Sequence, residues 1–197
     1  VLDYFFAPNS MDVEGDLLLL GLPTRADCID ISDLSAPVRV GTFDTLPLYA
    51  TIREVELIGA TAAIFLPYTA QMLSVSVADP TTPVLIGEVA LPGVHYNPIP
   101  IDTASEGDLL LAAMRDFVYA ISMADPASPQ LLSVVEVDAW DLALESNHAF
   151  VLSRDLTILD YTDPANPQTL LTCCTADLYH ANSQIAVNAG RGFLAEI

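Results

Sequence analysis

Four copies of one short phrase constrain this chain more than any other feature. They are Asp33-Leu34-Ser35-Ala36-Pro37, Asp79-Pro80-Thr81-Thr82-Pro83, Asp125-Pro126-Ala127-Ser128-Pro129 and Asp163-Pro164-Ala165-Asn166-Pro167, each between two short apolar runs. Their aspartates lie 46, 46 and 38 residues apart, a period that belongs to repeated supersecondary units. The phrase reads as a stop and a restart. Asp accepts hydrogen bonds from the backbone ahead of it, Pro in the next position presets φ, and the final Pro holds off pairing until a new strand begins. The first copy has Leu34 in place of the leading Pro, so it keeps the turn with less preorganisation.

Two further series run in step with the first. Turn signals recur at Glu14-Gly15-Asp16, Ile58-Gly59-Ala60, Glu106-Gly107-Asp108, Ser146-Asn147-His148 and Ala189-Gly190-Arg191, each between strand-like runs, which implies five hairpins. An aromatic precedes each turn by seven to eleven residues: Tyr4, Tyr49, Tyr96, Trp140 and Tyr179. Each unit then divides into four strands. In the third unit these are about 97–105, 108–114, 117–122 and 130–137, with a tight turn near Arg115-Asp116. Such short runs, rich in Val, Ile, Leu and Tyr, suit strands and not helices.

The predicted fold class is therefore all-β: a β-propeller of four-stranded antiparallel blades. Eighteen strands are readable, which makes four units and half of a fifth, opening inside a first strand at about 4–13 and ending with strands at about 183–188 and 192–197. The expectation is a single propeller domain over 1–197, incomplete at both ends, that is either part of a larger ring or completed by a neighbouring chain.

The stretch from Leu156 to Pro167, with an apolar strand after it, resembles the LVIVP repeat. So do Val75 to Pro80 with Val84 to Gly87, and Ile31 to Asp33 with Val38 to Gly41. That family consists of tandem propeller-type repeats found largely in bacterial and archaeal surface or secreted proteins. The resemblance covers nearly the whole chain and implies a fold, but no catalytic residues to carry over. The chain departs from a regular copy at Leu34, in its shortened fourth unit, and in lacking a glycine after the fourth strand's apolar run beyond the second unit.

Composition limits what such a fold does here. At 52% hydrophobic and 16% charged residues the chain has ample material for a core. Its richest runs, Leu17 to Leu20 and Ala62 to Leu66, are far shorter than the roughly 20 residues of a spanning helix. It begins at Val1 without a basic leader, so a signal peptide is expected to have been removed or to lie outside this piece. With 26 acidic residues, six arginines, no lysine and a net charge of -20, its surface repels nucleic acid and anionic lipid. Basic proteins, neutral glycans and cations remain as partners. Cys28, Cys173 and Cys174 have no metal spacing and read as free, partly buried thiols.

Two residue sets are candidate sites. Tyr49, Tyr96, Trp140 and Tyr179, with His95 and His180, precede the inner strands and would gather at a channel mouth, where they either stack on a sugar or peptide or wedge against the next blade. Asp12, Glu54, Asp102 and Asp141 lie on or near those strands. They would form a Ca²⁺ site if they converged, and read more simply as solvated acids. No Gly-x-Ser-x-Gly elbow, His-Glu-x-x-His, phosphate loop or Cys-x-x-Cys occurs. The expected function is a non-enzymatic scaffold or interaction module of a secreted or cell-surface protein, without a cofactor, self-assembling through unpaired blade edges. The alternatives are a glycan- or peptide-binding propeller and a hydrolase using channel carboxylates.

Overall fold

A computed structural model describes residues 7–45, 51–93, 101–174, 184–188 and 191–195. It divides into two compact units, Val1–Tyr96 with Asp125–Pro129, and Asn97–Ala124 with Gln130–Ile197. The first unit holds two four-stranded antiparallel sheets, each a meander in chain order. One is β1 (Ser10–Glu14), β2 (Leu17–Leu22), β3 (Arg25–Asp30) and β4 (Val38–Asp44); the other is β5 (Glu54–Ile58), β6 (Thr61–Leu66), β7 (Gln71–Ser76) and β8 (Val84–Ala90).

In the second unit β9 (Ile101–Glu106), β10 (Leu109–Ser122) and β11 (Gln130–Ala139) form one sheet, and β12 (Asp141–Glu145), β13 (His148–Leu152), β14 (Asp155–Asp160) and β15 (Gln168–Cys174) form another. β16 (Gln184–Asn188) and β17 (Arg191–Ala195) make a hairpin. β10 is an unbroken run of 14 residues, yet it is not straight. The Met123 N–H, just past its end, donates to the Asp108 carbonyl, just before its start, at 2.8 Å; a straight strand of about 3.3 Å per residue would hold them far apart. The run folds back at Arg115-Asp116, where Arg115 has φ +52°. Its first arm pairs with β9 and its second with β11. This sheet is thus a fourth four-stranded blade, with the turn where the sequence placed it.

All the blades share a set of local devices. The inner hairpins close through two-residue turns, Gly15-Asp16, Gly59-Ala60, Gly107-Asp108 and Ser146-Asn147. The first residue of each has positive φ, +57° to +59° at the glycines and +52° at Ser146, as right-handed strand twist requires of so short a connection. Each Asp-x-x-x-Pro turn is held twice over. The Asp79 carboxylate accepts from Thr81 N–H at 3.0 Å while its carbonyl accepts from Thr82 N–H at 3.1 Å, and Asp33, Asp125 and Asp163 repeat both bonds. The Ser35 and Thr81 hydroxyls, with these N–H groups behind them, hold the pKa of Asp33 and Asp79 below the usual range. Every fourth strand then carries a β-bulge at the same place, at Val40, Ile86, Leu132 and Leu170, which sharpens its twist.

The core lies between neighbouring blades within each unit. In the first, Leu19, Ala26 and Cys28 of one sheet meet Val55, Ile64, Leu73 and Val75 of the next; in the second, Leu111, Val118 and Ala120 meet Leu142, Val151, Leu159 and Tyr161. Middle strands such as β6 are buried along their whole length and so read as continuous apolar runs, whereas the outermost β4 and β8 alternate between half-buried and exposed positions. Burial of each large side chain in these clusters contributes roughly 1.5–3 kcal/mol.

Cys28 is buried and Cys173 half-buried, both as free thiols. Burial, reinforced by the neighbouring Asp27 carboxylate, pushes the Cys28 thiol up to about 11, so it sits as an inert apolar group at neutral pH.

Candidate functional site

The inner strands carry the acids singled out in the sequence, and the structure gives three of them the same partner. Asp12 Oδ2 accepts the Leu57 N–H of the next blade at 2.7 Å. Asp102 Oδ2 accepts the Leu142 N–H at 2.6 Å, and the Asp141 carboxylate accepts the Ile185 N–H. None of the three stands free in solvent: each staples its blade to the backbone of the next. An innermost strand has no ladder partner on its outer side, so its N–H groups need such acceptors. Among the described residues no group of three or more His, Cys, Asp or Glu is placed to hold a metal ion.

Glu54 differs. Its carboxyl takes a short hydrogen bond from Ser10 Oγ and lies near the Val55 N–H, which also approaches Ser10 Oγ at 3.2 Å. Burial, only partly offset by these contacts and reinforced by Glu56 and Asp12, pushes its pKa up to about 7. A carboxyl raised in the folded state favours folding below the ordinary carboxylate range, and that contribution is lost as pH rises through its folded pKa. Glu54→Gln is therefore expected to be more stable than the parent at pH 8 by about 2 kcal/mol, with the gap closing towards pH 4. Urea unfolding at both pH values checks this; a constant gap would refute a titrating Glu54.

Of the aromatic set, Trp140 alone lies within the described residues. It is half-buried just ahead of β12, and its backbone N–H donates to the Leu152 carbonyl at 2.8 Å. Tyr49, Tyr96, Tyr179, His95 and His180 lie outside the described residues, as does Tyr4.

Sequence reasoning missed three polar groups. Asp27, with no exposed side-chain surface, faces Arg25 at 3.1 Å and Arg39 at 3.5 Å and accepts from Thr42 Oγ1 at 2.8 Å, a buried charge held by pairing. The signal available was that two of only six cations fall in one blade. Glu106 grips both N–H groups of the next inner turn, Ser146 at 3.0 Å and Asn147 at 2.9 Å, which steadies a positive-φ turn that has no glycine. Ser133 Oγ donates to the Pro164 carbonyl at 2.7 Å.

That last bond explains the absent glycine. The residue after each of the first three bulges faces a later Asp-Pro turn: a Cβ on Gly41 would stand 2.0 Å from the Pro80 oxygen, and one on Gly87 2.7 Å from the Pro126 oxygen. Where serine occupies this position it bonds the approaching carbonyl. The turns join blades as well as closing them.

Among the described residues a cleft opens between blades in each unit. The first, about 670 Å³, lies at the turn end of the first two blades and is lined by Glu14, Asp16, Leu17, Asp30, Val40 and Val77 among others. The second, about 270 Å³, lies between β11 and the β14–β15 pair.

Tandem four-stranded antiparallel blades, packed on their neighbours within each unit, define a repeat protein of the β-propeller class. Residues 27–45 and 136–175 match the sequence model described as the LVIVD repeat, so these stretches carry that repeat. Leu156-Thr157-Ile158-Leu159-Asp160 agrees with those five letters at its first, third and fifth positions. Among solved structures, a functionally unknown protein from Desulfotomaculum acetoxidans is similar with a TM-score of 0.75 at 16% identity, over 98% of this chain and 63% of that one. A protein from Lactobacillus plantarum follows at 0.69 and 13%, over 85% and 57%, and Sqt1 of Saccharomyces cerevisiae at 0.62 and 10%, over 86% and 48%. The chain thus spans roughly half to two thirds of the length of these structures, and the likeness is one of fold. No curated protein matches the sequence.

Proposed function

We propose that this chain is a non-enzymatic scaffold and interaction module of a secreted or cell-surface protein. The observation that carries this reading is the use of Asp12, Asp102 and Asp141, three of the four inner-strand acids singled out in the sequence, as acceptors for backbone N–H groups. Acids bound in this way set blade geometry and are not free to move protons at a substrate. The test is turnover of chromogenic ester, glycoside and phosphodiester substrates by the purified protein. None is expected; turnover that disappears in a folded Asp141→Asn variant would overturn the reading.

Self-association through blade edges is a second reading. It is favoured by exposed apolar residues on all four outermost strands, Val38, Val84, Val134 and the pair Leu170 and Leu171, since exposed apolar edges pair with other chains unless covered. Sedimentation velocity over a hundredfold concentration range decides it: growth of larger species is expected, and a monomer throughout would exclude it.

A further inference from the structure

We propose that the cleft between the first and second blades binds an arginine side chain presented by a partner protein. The inference rests on reading the chain as an interaction module, and gives that module a site and a partner chemistry.

The repeat itself shows why this cleft is open. In each blade the residue two before the turn aspartate donates its N–H to the carbonyl of the inner hairpin turn: Val77 to Ala60 at 2.9 Å in the second blade, Tyr161 to Asn147 at 2.7 Å in the fourth. Val77 and Tyr161 are therefore equivalent, and both are buried in the clusters between blades. Between the third and fourth blades a full tyrosine ring fills the place, and Glu106 closes the rim by gripping Ser146 and Asn147. Between the first and second blades valine fills far less, and the carboxylate of Glu14, the counterpart of Glu106, makes no hydrogen bond or ion pair with another described residue. A missing ring and a released carboxylate leave about 670 Å³, within the range of sites that hold a ligand group.

The lining selects the occupant. Leu17, Val40 and Val77 form an apolar wall, while Glu14 and Asp16 present carboxylates at the rim that have no partner among the described residues and Asp30 adds a third. Hydrogen bonds from the Ser32 side chain and backbone N–H hold the Asp30 carboxyl below its usual range. Arg25 and Arg39, the cations of this blade, are directed to Asp27. An apolar wall under unneutralised carboxylates matches an arginine, whose methylene stem lies on apolar surface while its planar fork takes carboxylate oxygens in pairs. Basic partners are also those that a chain of net charge -20 draws in.

The experiment uses fluorescence anisotropy with a labelled peptide Gly-Ser-Arg-Gly-Arg-Ser-Gly at 0.15 M salt, where the Debye length of about 8 Å suppresses the diffuse field. A second peptide carries citrulline, neutral and of the same shape, at both arginines. The parent protein is expected to bind the first and not the second. Val77→Tyr, which copies the closed cleft without changing charge, and the double variant Glu14→Gln, Asp16→Asn are each expected to weaken binding by about tenfold or more. The equally neutralising Glu88→Gln, Asp116→Asn, on exposed positions away from the cleft, should leave it within about twofold. The double variant and its control decide the matter if Val77→Tyr does not fold. No binding by the parent, equal loss in the control pair, or full binding by a folded Val77→Tyr would each overturn the proposal and leave the interaction-module reading standing. Chemical alteration of the peptide, read by mass spectrometry, would instead overturn that reading.

Discussion

Gly41→Ala is expected to lower the unfolding free energy by about 3 kcal/mol. The new Cβ would meet the Pro80 oxygen at 2.0 Å and the carbonyl carbons of Pro80 and Thr81 at 3.1 Å. All three are backbone atoms of a turn fixed by Asp79 through its carboxylate and its carbonyl, so no side-chain rotation relieves the contact. Either the turn lifts off β4, opening the packing between the first two blades, or the bulged strand shifts. The matched control is Gly15→Ala, at φ +59° with nothing within 4 Å of the added carbon, which should cost only the backbone strain of about 1 kcal/mol. Urea midpoints for both variants give the comparison. Equal losses at the two positions would mean that the turn is not held against the strand.

This joint also shows where sequence reading reached and where it stopped. The turn chemistry of Asp79-Pro80-Thr81-Thr82-Pro83 is local, so its hydrogen bonds were legible from residue types alone, as were the hairpins at Gly15, Gly59 and Gly107 and the fold-back at Arg115-Asp116. That the turn also presses on Gly41 depends on residues some forty positions apart, and a single sequence does not reveal why a glycine stands there. The same limit applies to the acids. Asp12, Asp102 and Asp141 were visible as inner-strand carboxylates, but metal ligation, solvation and bonding to the next backbone all need the same residue type at the same place. Only the register of adjacent blades separates them. Asp102 and Leu142 meet because β9 lies beside β12, forty residues on. Trp140 was legible as a recurrent aromatic ahead of an inner strand; what it faces there is a matter of packing, which spacing does not encode.

The second large effect is expected at that same register. Asp102→Ala should cost about 3 kcal/mol, because it removes a charged acceptor and leaves the Leu142 N–H beside a buried residue without a hydrogen bond. Asp102→Asn keeps a carbonyl oxygen in place of the carboxylate and should cost about 1 kcal/mol, the difference between charged and neutral acceptors. This ordering separates a staple from the other roles considered for the acid. A solvated carboxylate would give near-zero losses for both variants. A cation site would make both equally poor ligands and make stability depend on added Ca²⁺. Urea unfolding with and without Ca²⁺, combined with amide hydrogen exchange at Leu142, reads all three cases. The staple account requires fast exchange at Leu142 in the alanine variant and intermediate protection in the asparagine variant. Because Asp12 and Asp141 make the same bond in other blades, a graded result at Asp102 would establish how an inner-strand aspartate fixes the next blade in each of these three pairs.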